Sequence, residues 1–197
     1  LDSRREYFGD GVFAIDGGAN IGVHTIEWSR HMHGWGRVLA FEAQEVVYYA
    51  LAGNIAINNC LNARARLAAL GAACGELEIP QPDYLAPASF GSLELRQSGG
   101  NEFIGQAISY ASQDCARVPM VSLDSLDIAR LELIKIDVEG MEVVVLQGGR
   151  DLLCKLRPLR LIPESLQSNP RLQLGPQIAA AQDLCKPRSH LLCQLGL

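Results

Sequence analysis

Short apolar runs alternate with stretches of helical periodicity over most of the chain. The runs have the length of buried strands, and the stretches between them place apolar residues three and four positions apart. This pattern predicts strands at residues 12–15, 37–42, 65–73, 131–137 and 158–162, and helices at 21–32, 45–57 and 140–153. Such alternation predicts an α/β fold in which a mostly parallel sheet carries helices on both faces.

Two parts of the chain have a weaker pattern. Residues 75–117 are rich in Pro, Gly and Ser, with short strands predicted only at 76–79 and 118–121. A long irregular stretch inside a compact domain usually serves function. After residue 164 the pattern indicates only a helix at 178–185 and a short strand at 190–195. We expect a single domain over 1–197, with 165–197 the least defined part.

Composition narrows the class of protein. The 197 residues are 48% hydrophobic and 20% charged, which is typical of a globular domain. The net charge of −5 argues against nucleic acid as a partner, since binding a duplex needs a basic surface. No apolar stretch approaches the roughly 20 residues of a membrane span. The charged start, Leu1–Asp10, lacks the apolar segment of a signal peptide.

The cysteines and histidines predict no metal or disulfide framework. None of the six cysteines is spaced as C-x-x-C, so we expect buried reduced thiols and a cytoplasmic location. His31 and His33 flank Met32 beside Gly34, which indicates a loop better than a metal site. We therefore predict no metal.

The turn after the first predicted strand, Asp16–Gly22, is the strongest candidate for a ligand site. In an open α/β sheet, ligands bind beyond the carboxyl ends of the strands. The dinucleotide pattern G-x-G-x-x-G fails here in either register. A carboxylate at Asp16 would repel a pyrophosphate, whereas it would attract the sulfonium and ammonium of S-adenosylmethionine. Gly18 and Gly22 would let the backbone approach that ligand closely.

Glu42 supports the same cofactor. It ends the second predicted strand, 20 residues after Gly22, where an acidic side chain can accept hydrogen bonds from both ribose hydroxyls. Asn20 is predicted either to bind the methionyl group or to hold the loop in shape.

With these residues the sequence resembles the FkbM-type S-adenosylmethionine-dependent methyltransferases. Its matching motifs are Asp16-x-Gly18-x-Asn20-x-Gly22, Phe41-Glu42 and Lys135-Ile136-Asp137-Val138-Glu139-Gly140, within residues 12–165. The resemblance implies a Rossmann-like class I methyltransferase fold and S-adenosylmethionine as the methyl donor. It also implies O-methylation of a hydroxyl on a small molecule or glycan. The sequence departs from the family at 71–74, which lacks an acidic residue for adenine, and after 165, where the final antiparallel strands are not visible.

Asp137 and Glu139 are the predicted catalytic residues. They follow the strand at 131–137, next to the expected position of the methyl group, and would share one side if that strand continued. Asp137 is predicted to act as a base or as a cofactor-binding carboxylate beside the sulfonium. The alternative for both acids is capping of the next helix. Lys135 is expected to point away from the site, covering a helix or pairing with an acid.

Two other functions stay open at this point. One is a nicotinamide-dependent oxidoreductase of similar architecture, and the other is a non-catalytic binding domain that keeps the fold. An unfinished sheet edge would also favour a homo-oligomer. The acceptor is not defined, because its pocket would be built from the least patterned segments.

Overall fold

A computed structural model describes residues 1–97 and 101–156 with their side chains and the backbone of 160–163. The helices are α1 (Asp2–Phe8), α2 (Val23–His31), α3 (Glu45–Ile57), α4 (Glu142–Gln147) and α5 (Arg150–Leu156). The strands are β1 (Val12–Gly17), β2 (Gly36–Glu42), β3 (Ala63–Leu67), β4 (Ala69–Leu70), β5 (Gly75–Pro80), β6 (Cys115–Val121), β7 (Leu133–Ile136) and β8 (Arg160–Pro163).

The main sheet has the order β3-β2-β1-β7-β8, and every pairing in it is parallel. The carboxyl ends of β1, β2 and β7 therefore meet at one edge. A smaller sheet, β4-β6-β5, pairs β5 antiparallel to β6. The predicted α/β fold with a mostly parallel sheet is confirmed.

Alternate strand residues face two apolar layers. Ile15, Phe41 and Ile134 are buried in a core shared with the small sheet and with α4 and α5. Ala14 and Val38, on the opposite face, pack in a second core near α2 and α3. Helices thus cover both faces of the main sheet, as the alternating pattern predicts.

The prediction of one strand over 65–73 is wrong. The last ladder bond to β2 is made by the amide of Ala68, which donates to the carbonyl of Glu42. Residues 69–70 then leave the main sheet and pair with 120–121 of β6. The apolar pattern is continuous through 68, so it does not show that the hydrogen-bond partner changes there.

The prediction of a single helix over 140–153 is also wrong, because α4 ends before Gly148 and α5 begins at Arg150. A Cβ atom on Gly148 would lie 2.1 Å from the carbonyl oxygen of Gly71, so this turn packs directly on neighbouring backbone. The carboxylate of Asp124 then accepts a hydrogen bond at 2.7 Å from the amide of Leu152, in the first turn of α5. A new helix start is consistent with this side-chain cap.

Helix α3 begins and ends at the predicted residues, and Asn59, just after it, has the left-handed φ of 52°. Cys60 is a buried free thiol, as predicted, but the free thiols of Cys74 and Cys115 are exposed and partly buried, respectively, and Cys154 is disulfide-bonded. Among the described cysteines, the prediction of buried reduced thiols therefore holds only at Cys60. In the described ranges no helix combines the length and apolarity that a membrane crossing requires. The predicted elements at 178–185 and 190–195 lie outside the described residues.

Candidate functional site

The turn from β1 to α2 is tightly built against the end of β7. Gly18, Asn20 and Gly22 all have positive φ, of 70°, 52° and 94°. A Cβ atom on Gly18 would lie 1.7 Å from the carbonyl oxygen of Asp137. At Gly22 it would lie 2.6 Å from the side chain of Leu51 in α3. Glycine is therefore required at 18 by backbone packing as well as by conformation.

Glu42 ties this turn to the end of β2. Its two carboxylate oxygens accept the backbone amides of Asn20 and Gln44, each at 2.9 Å. The residue is 7% exposed, and burial raises the pKa of its carboxyl, against the lowering effect of those amides. A carboxylate oxygen has two lone pairs, so each can still accept a hydroxyl.

Asp16 lies beneath the turn. It is fully buried, and its Oδ2 accepts the hydroxyl of Thr25 in α2 at 2.6 Å. The Nζ of Lys135 lies 3.7 Å from Oδ1, which has no hydrogen-bond partner in the described part of the chain. Asp16 and Lys135 are opposite each other in the register of β1 and β7. The expectation that Lys135 points away is therefore wrong, and its pairing with an acid is confirmed.

Asp137 follows the last residue of β7. Its amide donates to Gly17, and its Oδ2 accepts Lys135 Nζ at 3.0 Å. Its side chain is 27% exposed. β7 ends at Ile136, so strand alternation does not set the positions of Asp137 and Glu139.

Glu139 is held in a strained backbone conformation with a φ of 36°. Burial, followed by the negative charge of Asp137 and smaller effects of Glu142, Glu102 and Glu94, raises the pKa of its carboxyl to about 7. Among the described residues, no amide of α4 donates to Glu139, so a capping role has no support. A carboxyl poised near neutral pH in a cleft has the properties of a general base.

These residues meet in one cleft at the carboxyl edge of the sheet. Asn20, Gly18, Glu42, Asp137 and Glu139 line it, whereas Asp16 and Gly22 lie behind its wall. The other residues that line it are Phe41, Ala43, Gln44, Ala68–Leu70, Gly91, Leu93, Leu95 and Val138. Five of the seven predicted site residues thus line one cleft, and the other two, Asp16 and Gly22, lie outside its lining.

A stretch of the irregular region covers the cleft; we call residues 84–95 the cover segment. Gln44 is buried, and its side chain donates to the carbonyl of Phe90 at 2.8 Å and accepts the hydroxyl of Tyr84 at 3.2 Å. Sequence reasoning missed Gln44, although a polar residue two positions after the strand-ending Glu42 was the available signal. With the cover segment in place the cleft holds only about 50 Å³.

A larger groove of about 690 Å³ lies at the opposite, amino ends of β1, β2 and β3. Trp35, Arg37 and Arg64 are among its walls. It contains none of the predicted site residues, and ligands of open α/β sheets bind at the carboxyl ends. The smaller cleft is therefore the candidate site.

Comparison with known proteins agrees with this architecture. The profile of the methyltransferase FkbM domain matches residues 16–184, so the chain belongs to that family. Methyltransferases of this family use S-adenosylmethionine. This family assignment favours a methyltransferase over the nicotinamide-dependent oxidoreductase.

Two individual proteins illustrate the similarity. The chain is 28% identical over 156 residues to the methyltransferase sdnD of Sordaria araneosa, which covers 69% of this chain and 60% of that protein. It superposes with a TM-score of 0.58 on a crystal structure of methyltransferase FkbM from Methylobacillus flagellatus KT. That match has 16% identity and covers 89% of this chain and 40% of the other, so it shows the fold alone. The chain thus spans 60% or less of these relatives' lengths.

Proposed function

We propose that this chain binds S-adenosylmethionine in the cleft at the carboxyl edge and transfers its methyl group to a hydroxyl of a small molecule or saccharide. The observation that carries the proposal is the convergence of Gly18, Glu42, Asp137 and Glu139 on one cleft. They come from the ends of three adjacent parallel strands, which is where an open α/β sheet holds its ligand.

The residues present fit this cofactor. Glu42 keeps free lone pairs for ribose hydroxyls, and the Gly18 backbone has no side chain to block the methionyl group. Asp137 and the buried Asp16 supply negative charge beneath the place where a cation would bind. Asn20 reaches the cleft, with its Oδ1 accepting the amide of Ile21, so the role in shaping the loop is the better supported one.

S-adenosylmethionine, when bound, supplies a methyl group on a positively charged sulfur, and the remaining thioether leaves as the carbon–oxygen bond forms. The protein must hold the acceptor oxygen in line, at a distance of about 3–3.5 Å from that carbon. It must also accept the proton of the hydroxyl. We assign this proton to the carboxylate of Glu139, whose pKa of about 7 suits the task. Asp137, hydrogen-bonded to the Lys135 ammonium, is the cofactor-side carboxylate.

Entry of the cofactor requires the cover segment to withdraw. Ligand pockets usually hold about 300–1,000 Å³, against the roughly 50 Å³ of the covered cleft. The links through Gln44 to Phe90 and Tyr84 are the contacts that have to loosen.

Calorimetric titration with S-adenosylmethionine tests the proposal. The intact chain should bind with micromolar affinity, and Glu42→Gln should weaken binding about tenfold or more, equal to roughly 1.4 kcal/mol. Glu45→Gln is the matched control, since Glu45 begins α3 nearby but does not line the cleft. Absence of binding by the intact chain would overturn the enzymatic proposal. Binding without turnover on any hydroxyl acceptor would support the non-catalytic alternative.

A further inference from the structure

Lys135 carries a buried charge that the proposed reaction does not directly use. The residue is 4% exposed. Its Nζ donates to Asp137 Oδ2 at 3.0 Å and to the carbonyl of Gly18 at 3.3 Å, and it lies 3.7 Å from Asp16 Oδ1. A buried ammonium is tolerated only when acceptors and opposite charges surround it. Here those partners come from both the glycine turn and the end of β7.

These contacts form a continuous chain from helix α2 to the cleft. Thr25 holds Asp16, Asp16 faces Lys135 across the β1–β7 register, and Lys135 holds Asp137. Of these four residues, only Asp137 lines the cleft. The Asp137 carboxylate is therefore held from behind by the buried Lys135 ammonium.

The Lys135 ammonium is also an ion-pair partner of both carboxylates. These two carboxylates, Asp16 and Asp137, lie within 4 Å of the Lys135 ammonium. Inside a protein, charges interact several times more strongly than in water. Lys135 therefore holds both carboxylates strongly, and of the two only Asp137 lines the cleft.

We propose that Lys135 is a positioning residue for cofactor binding. It fixes the Asp137 carboxylate toward the cleft and ties the Gly18 carbonyl to the same point, so that the cationic end of the methyl donor meets a preformed acceptor. This inference rests on the proposed function. It extends the proposed function by assigning part of the affinity for the cofactor to Lys135, which does not line the cleft.

A double-mutant cycle on S-adenosylmethionine binding separates this role from a general effect on folding. Lys135→Met and Asp137→Asn should each weaken binding about tenfold or more, and the double variant should bind no more weakly than Asp137→Asn alone. Losses that multiply in the double variant would overturn the inference, as would wild-type affinity in a folded Lys135→Met.

A second cycle provides the matched control and a safeguard against unfolding. In an Asp16→Asn background, removing the ammonium no longer leaves the fully buried Asp16 carboxylate without its cation, so Lys135→Met should fold there even if it fails alone. The inference requires that Lys135→Met still weakens binding relative to Asp16→Asn. If Lys135 served only to neutralise Asp16, the pair would bind like Asp16→Asn, and the inference would be wrong. A wild-type chain that does not bind at all overturns the proposed function and this inference together, whereas binding with additive losses overturns this inference alone.

Discussion

The carbonyl oxygen of Asp137 lies 1.7 Å from the position that a Cβ atom on Gly18 would occupy. The backbone of the glycine turn therefore lies directly on the backbone that follows β7. This contact, with the amide of Asp137 donating to Gly17, fixes the two sides of the cleft relative to each other.

Gly18→Ala should consequently destabilise the domain and abolish cofactor binding. The added methyl group meets rigid backbone at a residue with φ of 70°, so we expect a loss of about 3 kcal/mol or more in the free energy of unfolding. Urea denaturation measures it. Gly53→Ala is the control, because Gly53 lies inside α3 with no atom within 4 Å of its Cβ position. That variant should be neutral or more stable by up to about 1 kcal/mol, and equal behaviour of the two variants would contradict the account.

Glu139 should make stability depend on pH. Its carboxyl has a pKa of about 7 in the folded chain against an ordinary 4.5, so the fold favours the protonated form. This contribution is fully present below pH 4.5 and is lost as the pH rises through about 7. From pH 5 to pH 8 the wild type should therefore lose about 1–2 kcal/mol relative to Glu139→Gln, with allowance made for its partial exposure. Parallel pH dependence of the two proteins would show that Glu139 does not titrate in this range.

Methyl transfer should follow the same ionisation. Because the base form of Glu139 accepts the proton, kcat should rise with pH and level off above about 7, and Glu139→Gln should lower it about 10²–10⁴-fold. The measurement is transfer from radiolabelled S-adenosylmethionine to a hydroxyl acceptor found by screening. Glu102→Gln removes one of the neighbouring negative charges that raise this pKa, so its profile should shift to lower pH. A profile unchanged by both substitutions would reassign the base.

Gln44→Ala should release the cover segment. The substitution removes the hydrogen bonds to Phe90 and Tyr84 while leaving the amide that Glu42 accepts. Amide hydrogen exchange of residues 84–95 should accelerate about tenfold or more, as for a segment that opens locally. Glu45→Ala, at the neighbouring position, should leave this exchange unchanged. If Gln44→Ala also leaves it unchanged, other contacts hold the cover segment in place.

The sequence predicted most of the main sheet and its helices, because each is a local pattern of apolar spacing. It missed the change of sheet at Ala68 and the break at Gly148, since both depend on backbone partners distant in the sequence. In the site, the acids at the strand ends were identifiable from their positions. The burial of Asp16 and the contact of Lys135 with it were not, because they follow from the register between β1 and β7, more than a hundred residues apart.

A crystal structure with S-adenosylhomocysteine would show whether the cleft beside Glu42 and Asp137 is the cofactor site. We expect ribose hydroxyls hydrogen-bonded to the carboxylate of Glu42, the homocysteine moiety at Gly18 and Asp137, and the cover segment displaced from its present contacts with Gln44. Ligand bound instead in the groove beside Trp35, Arg37 and Arg64, with the cleft still closed, would contradict this expectation.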